Sequence, residues 1–419
     1  TMLTAIGEQD LGLVKFDGSG NFLWAKTWGT SYNDWGHDMY ADENGNVYLT
    51  GEFSVYTGGN PIFDTIHFDA YALPVDDNGD IFVVKADTDG NIIWAKRAGS
   101  SQIDHSWDIS ADALGNVYVS GVSGSTMHFE TINLPNADVF VAKYDSNGNV
   151  LWAKSGGTTQ LGTFFVSHAV DNNGNVYLAG MYYQATSFTF GSTTINWDDG
   201  FIVKYNSAGT QQWAKNMGTA MYSTGRGYSI ATDNNAIYVG GIMEYSATFL
   251  DDTLTSNGFN DVLVVKYDLN GNYIWATHAG GSINDGAYDL ALDNNGSLLV
   301  TGYIASNNAE FSPYTLASEG YWDMFVGKLS AATGLPVTQA ENGTSIYPSP
   351  ANEQLIISTD SKELMLEVYD MAGRVLICKE MRASNGKCTL DVSGLPDGMY
   401  ILSINENATI NRQKFAVQH

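Results

Sequence analysis

Apolar and polar residues alternate in short bursts along most of the chain, and the bursts repeat. From Asp138 to Lys154 the sequence reads Asp-Val-Phe-Val-Ala-Lys-Tyr-Asp-Ser-Asn-Gly-Asn-Val-Leu-Trp-Ala-Lys. Phe140, Ala142 and Tyr144 alternate with Val139, Val141 and Lys143, the two-residue period of a strand. Asp145–Asn149 has the chemistry of a turn, an aspartate that can bond the backbone two residues on and a glycine free to take positive φ. Val150–Lys154 then reads as the returning strand. The lysine comes back as Lys15, Lys85, Lys143, Lys204, Lys266 and Lys328, at spacings of 70, 58, 61, 62 and 62 residues. The tryptophan comes back as Trp24, Trp94, Trp152, Trp213 and Trp275.

A second hairpin follows in each period, Asp42-Glu43-Asn44-Gly45-Asn46-Val47-Tyr48-Leu49-Thr50-Gly51 in the first copy. It returns at Asp112–Gly121, Asp171–Gly180, Asp233–Gly241 and Asp293–Gly302. Four short antiparallel strands in a period near 60 residues predict a β-propeller blade. No window sustains a helical period. The expected fold is therefore all-β, with a propeller over residues 1–335. Residues 10–302 supply five sets of four strands, and 323–338 only the first hairpin of a sixth. Thr1-Met2-Leu3-Thr4 aligns with Asp252-Thr253-Leu254-Thr255, in mid-repeat. This predicts a natural chain that extends upstream and a ring of at least six blades whose N-terminal part is missing here.

The period stops at Pro336. Residues 336–343 read as a linker, and 344–419 as a second domain with strands at 355–358, 364–369, 375–380, 387–392, 399–405 and 410–417. Short alternating strands between Gly, Asn, Asp and Pro predict a small, immunoglobulin-like sandwich.

The chain has 419 residues and a net charge of −27. Residues 1–340 carry 12 basic and 36 acidic residues. That balance repels nucleic acid and anionic lipid surfaces. No apolar run is long enough for a membrane span, and no signal peptide is visible. The two cysteines, Cys378 and Cys388, sit ten residues apart across an expected hairpin turn at 381–385. They can form a cross-strand disulfide or remain two thiols.

The two repeated phrases resemble the seven-bladed propeller repeat of secreted bacterial proteins. The C-terminal stretch resembles the type A C-terminal sorting domain of the type IX secretion system of Bacteroidetes. That resemblance rests on Tyr347-Pro348-Ser349-Pro350-Ala351, Tyr369-Asp370-Met371-Ala372-Gly373-Arg374, Leu395-Pro396-Asp397-Gly398-Met399-Tyr400 and Lys414-Phe415. The sorting-signal residues it implies are Pro348, Pro350, Ala351, Gly373, Arg374, Leu395, Gly398, Tyr400, Lys414 and Phe415. It further implies a secreted or cell-surface cargo that folds in the periplasm and crosses the outer membrane through the type IX translocon. A shuttle protein then receives the domain, and a surface sortase commonly removes it, here before Thr344.

The expected chemistry of the propeller is binding. The Asp-x-x-Gly-Asn turns, such as Asp87-Thr88-Asp89-Gly90-Asn91, lack the further ligands and distal glutamate of a calcium loop and read as structural. The repeated tryptophans read as blade-packing residues, and the lysines as stems laid along a strand. Before each second hairpin two positions repeat. One holds Asp34, Asp104, Thr163, Gly225 and Asp285, and the other Asp38, Asp108, Ser167, Ser229 and Asp289. They read as loop-fixing groups. The positions between vary: Trp35, His37, His105, Trp107, Phe164, Phe165, Arg226, Tyr228 and Tyr288. Trp35, His37, His105, Trp107, Phe164, Arg226, Tyr228 and Tyr288 are the candidate ligand-binding residues, on one propeller face, for a glycan, a peptide or a protein. No two of the seven histidines have zinc-ligand spacing, and no metal or cofactor is expected. There is no nucleophile elbow and no phosphate loop, so no catalytic residue is assigned. The rival readings are a polysaccharide hydrolase or lyase and a purely structural scaffold.

Overall fold

In the computed structural model every described residue is strand, turn or coil, with no helix. The structure describes the chain apart from residues 1–3, 56–63, 76–78, 136–137, 158–162, 183–186, 197–199, 218–228, 250–251, 294–295, 313, 330–344, 348–350, 360, 370–374, 385, 397, 407–408 and 418–419. It divides into two compact units, Thr1–Tyr273 with His278–Lys328, and Ile274–Thr277 with Leu329–His419. The expected linker 336–343 lies outside the described residues.

The first unit is the β-propeller. Leu11–Phe16 and Phe22–Trp28 form a two-stranded sheet. Blade I follows as a four-stranded sheet of Asn33–Ala41, Val47–Val55, Asp80–Ala86 and Ile92–Ala98. Blade II has Asp104–Ala111, Val117–Ser123, Val139–Tyr144 and Val150–Gly157 in the same order. Blade III repeats this with Thr163–Val170, Val176–Tyr182, Gly200–Tyr205 and Gln211–Asn216. Blade IV has Ser229–Thr232, Ala236–Phe249, Asp252–Asp268 and Tyr273–Ala279. Asp285–Leu292, Leu298–Ile304 and Asp323–Leu329 make the three described strands of blade V. The sheets thus join each Asp-Gly-Val-Tyr hairpin to the Lys–Trp hairpin that comes after it, one hairpin out of phase with the sets expected from the sequence.

The four-strand expectation also undercounts. A further hairpin stands between the second and third strands: Thr65–Phe68 with Tyr71–Pro74, Met127–Phe129 with Ile132–Leu134, Ser187–Phe190 with Thr193–Asn196, and Ala309–Phe311 with Tyr314–Leu316. In blade IV the two long strands extend to make it, pairing Phe249 with Asp252. These hairpins have only three or four residues a side, too few to show a period in the sequence. They reach the outermost strand of the preceding blade, through Gly156↔Phe190, Gly99↔His128 and Gly280↔Glu310. An outer strand with unpaired amides is an aggregation liability, and the hairpin covers it.

The repeated phrases hold neighbouring blades together at the turn end. Asp42 Oδ1 accepts from the Asn44 and Asn46 amides, and Oδ2 accepts from Asn46 Nδ2 and Tyr48 OH. Asp112 and Asp171 repeat the pattern with Tyr118 and Tyr177. Register sets Lys85, Lys143, Lys204 and Lys266 opposite Tyr48, Tyr118, Tyr177 and Tyr238, with each ammonium 4.9–5.2 Å from the ring centre. A cation over a ring face is stabilised by the ring quadrupole, so the buried lysine has a partner. Trp94 Nε1 donates to the Ser146 carbonyl of blade II, and its ring lies 2.8 Å from where a Cβ on Gly148 would stand. Gly148 also has φ +82°, so both the turn and the packing require glycine. Trp152 meets Gly209 in the same way, and Trp213 meets Gly271. The tryptophans are inter-blade packing residues, as their repetition predicts.

The second unit has two sheets. One orders Ser345–Tyr347, Gln354–Ser358 and Lys387–Asp391, and the other Val375–Arg382, Glu363–Tyr369, Gly398–Glu406 and Thr409–Val417. All six expected strands are present, with Ser345–Tyr347 in addition. Leu355, Ile357, Leu366, Val368, Leu402 and Phe415 are buried in one cluster between them. Cys378 is on the second sheet and Cys388 on the first, not on a shared hairpin, and no disulfide joins them. The hairpin expectation fails because the turn after Arg382 carries the chain from one sheet to the other.

Candidate functional site

Both turn types of a blade lie at one end, so the starts of first strands and the ends of second strands meet at the other. The repeated carboxylates there are consumed by the fold. Asp34 accepts from the Thr30 and Ser54 amides at 2.6 and 2.9 Å, Asp104 accepts from Ser100 Oγ at 2.8 Å, and Asp285 accepts from the Gly281 and Ala305 amides at 2.7 and 3.0 Å. Burial pushes the Asp34 carboxyl up to about 6 and that of Asp104 up to about 7. The second repeated position does something different from the loop-fixing expected of it. Asp38 accepts from the Ile109 amide, Asp108 from Ser167 Oγ and the His168 amide, and Asp289 from Ser229 Oγ. Each bond joins two neighbouring blades. Burial, then the charge of Asp108, pushes Asp38 up to about 7.

The variable positions are where one seam departs from the others. In blade I, Gly36 pairs with Gly51 and Asp38 with Thr50, so His37 is the extra residue of a β-bulge. Trp107 and Tyr288 occupy the same bulge in blades II and V. A bulge turns its unpaired side chain out of the ladder. His37 is thereby brought to Glu52, near the end of the second strand, with Nε2 3.5 Å from Oε2. His105, at the start of blade II, contacts the same oxygen through Nδ1. Glu52 is 0 % exposed, and its Oε1 has no hydrogen-bond partner. Burial raises its carboxyl, but the contacts with His105 and His37 outweigh this and hold it below its usual range.

Trp107 covers the pair. Its ring centre is 5.2 Å from that of His105, nearly parallel, and 4.5 Å from that of His37. Phe165 of blade III continues the row at 5.0 Å from Trp107. Three expected residues, His37, His105 and Trp107, therefore form one cluster. Trp35 does not join it, since its Nε1 is turned to Gln9 Oε1. Tyr288 packs on Tyr303 in blade V, 5.2 Å between ring centres. The Phe164 side chain, Arg226 and Tyr228 lie outside the described residues.

Glu52 escaped the sequence reading, although a signal was there. It follows the glycine that ends the second phrase, where the other copies have Val122, Met181, Ile242 and Tyr303. A carboxylate in an apolar column is an anomaly that needs a partner. The expectation of no metal rested on spacing along the chain. His37 and His105 are 68 residues apart, and only the packing of two blades brings them to one carboxylate.

The sorting-motif residues that can be placed are structural. Ala351 is buried and bridges Val417, Leu395 is buried in the core, and Tyr400 packs on Phe415 while its OH donates to the Pro396 carbonyl at 2.7 Å. Gly398 opens the strand that carries Tyr400. Pro348, Pro350, Gly373 and Arg374 lie outside the described residues, as does the Lys414 side chain.

Residues 345–418 match the family described as the secretion system C-terminal sorting domain, and residues 23–52 match the beta-propeller repeat. The uncharacterized WD repeat-containing protein L264 of Acanthamoeba polyphaga mimivirus is 24% identical over 358 residues, 69% of this chain and 25% of that protein. Regulatory protein FlaEY of Caulobacter vibrioides is 23% identical over 393 residues, 88% of this chain and 39% of that protein. The chain thus spans well under half the length of either relative. Among solved structures, a glycoside hydrolase family 43 arabinoxylan arabinofuranohydrolase from Bacillus subtilis covers 92% of this chain and 96% of its own, at 13% identity and a TM-score of 0.34. A Synechocystis apocarotenoid oxygenase covers 92% and 94%, at 9% identity and a TM-score of 0.31. A C-terminal sorting domain of this kind marks export through the periplasm to the cell surface or the extracellular space. The chain is a β-propeller protein that carries a C-terminal sorting domain of the type IX secretion system.

Proposed function

We propose that this protein is an exported, non-catalytic binding module, its propeller presenting the face around Trp107 to a glycan or a peptide. The translocon, its shuttle protein and a surface sortase are the partners this reading assigns to residues 344–419. The observation that carries the binding role is the row His37, His105, Trp107 and Phe165, three blades contributing adjacent rings at one end of the propeller. Flat rings of this kind stack on sugar faces and grip apolar side chains. Support for a non-catalytic role comes from the neighbouring carboxylates. Asp34, Asp104 and Asp285 each accept hydrogen bonds from loop backbone or hydroxyl groups, which ties them to the fold.

The test is a glycan and peptide array probed with the full chain and with Trp107→Ala. The expected result is a ligand class bound by the parent and lost in the variant, with the variant still folded. Equal binding by the variant overturns the assignment of the face. Release of new reducing ends from a bound polysaccharide overturns the non-catalytic reading. For the export half, a chain ending at residue 343 is expected to remain in the periplasm of the host.

A further inference from the structure

We infer that His37, Glu52 and His105 form a binding site for one divalent transition-metal ion, with zinc the ion this donor set suits best. Two imidazole nitrogens and a carboxylate oxygen lie within 4.8 Å of one another. Ligands bound to zinc at about 2.0–2.2 Å stand roughly 3.3–3.5 Å apart around a tetrahedron. The 3.5 Å between His37 Nε2 and Glu52 Oε2 already has that separation. Two imidazoles with one carboxylate are a known donor set for zinc and for iron(II), and neither ion has its coordination filled by three protein atoms.

The second observation is Glu52 itself. Its side chain is fully buried, Oε1 has no hydrogen-bond partner, and the nearby His37 Nε2 also makes no hydrogen bond. A buried carboxylate with an unsatisfied oxygen is costly, and a cation on it removes the cost. The rest of the seam fits a metal site. Trp107 stacks on the His105 imidazole and packs at a tilt against that of His37, the kind of apolar surround that limits water and orients ligands. The site also breaks the repeat at all three donors at once. Where blade I has His37 and Glu52, blade II has Trp107 and Val122; where blade II has His105, blade I has Trp35. Repetition explains none of the three, and a role in blade packing is met elsewhere by Val122 and Ile242. The site does not depend on the propeller's organic ligand, so the two readings fail separately.

The test is titration of the tag-free full chain, stripped with chelator, with zinc and with cobalt(II). One equivalent is expected to bind, cobalt giving the visible absorption of a tetrahedral or five-coordinate nitrogen–oxygen site. Melting temperature should rise with bound ion and fall again on chelation. Glu52→Gln keeps the side chain's shape, and His105→Ala removes a half-exposed donor. Each should weaken binding by about tenfold or more while the far-ultraviolet spectrum is kept. The proposal is overturned if the parent binds less than one equivalent, or if one equivalent binds equally to the parent and to both variants. If a variant does not fold, stoichiometry and the cobalt spectrum of the parent still decide: no imidazole-type spectrum, no site.

Discussion

The two ends of the propeller follow opposite rules. At the turn end blades I to IV use the same parts, an aspartate turn capped by a tyrosine hydroxyl and a lysine over that tyrosine, and blades I to III add a tryptophan beneath the next blade's glycine; in blade V, Leu299 stands at the tyrosine position and Lys328 donates to Asp293 instead. At the loop end one register position holds Val122, Ile242 or Tyr303, all buried, but Glu52 in blade I. The contrast between two seams is sharpest. Between blades II and III, Val122 and Val166 share one apolar cluster with Trp107 against it. Between I and II the same neighbourhood holds a carboxylate and two imidazoles. Blades of one strand order with different side chains separate what the fold needs from what one site adds.

Breaking the constant end should cost most. Trp94→Ala empties a buried position under Gly148, and chemical denaturation should show a loss of about 3–5 kcal/mol. Gly148→Ala attacks the same contact from the other side, forcing a Cβ into the Trp94 ring at positive φ. A loss of roughly 1–3 kcal/mol is expected. Lys143→Met keeps the stem and removes the cation from the Tyr118 ring, for about 0.5–2 kcal/mol. At the loop end, Trp107→Ala should change the melting curve less than Trp94→Ala while abolishing ligand capture. Equal losses at both positions would erase the distinction between the ends.

A pH titration sharpens the comparison from within the II–III seam. His168 is buried, its two ring nitrogens each 2.8 Å from a hydroxyl, Ser120 Oγ and Ser110 Oγ. Burial pushes its imidazole down to about 4 from 6.5. The folded state keeps it neutral, and the unfolded chain takes up a proton first. Stability from this residue is therefore full above about pH 6.5 and is lost as pH falls toward 4. Asp34 and Asp261, raised by burial to about 6, act with opposite sign, favouring the folded state at low pH and losing that as pH rises through 6. The slope due to His168 is isolated by comparing the parent with His168→Gln, and the variant should lose stability less steeply between pH 6.5 and 4. An unchanged slope would mean the imidazole is protonated in the folded state.

In the sorting domain, Phe415→Ala should unfold or destabilise the domain by about 3–5 kcal/mol, because Phe415 is fully buried against Tyr400. Export lost through that change would report a lost fold, not a lost recognition residue.

The sequence by itself determined the all-β class, the strands of the second domain, the turn aspartates and the packing role of the tryptophans. Each is a local or periodic property: alternation, a turn residue, or a side chain recurring at one strand position. It could not place the sheets' phase, because either hairpin of a period can pair with the next. It missed the small outer hairpins, too short to show a period, and it put the two cysteines on one hairpin when a turn between sheets separates them. The candidate face was legible as a set of variable positions, yet which of them meet was not. His37 reaches Glu52 only because a bulge lifts it from the ladder, and His105 reaches Glu52 only because blade II packs against blade I. Those are consequences of register and blade packing, which bring together residues that no spacing along the chain connects.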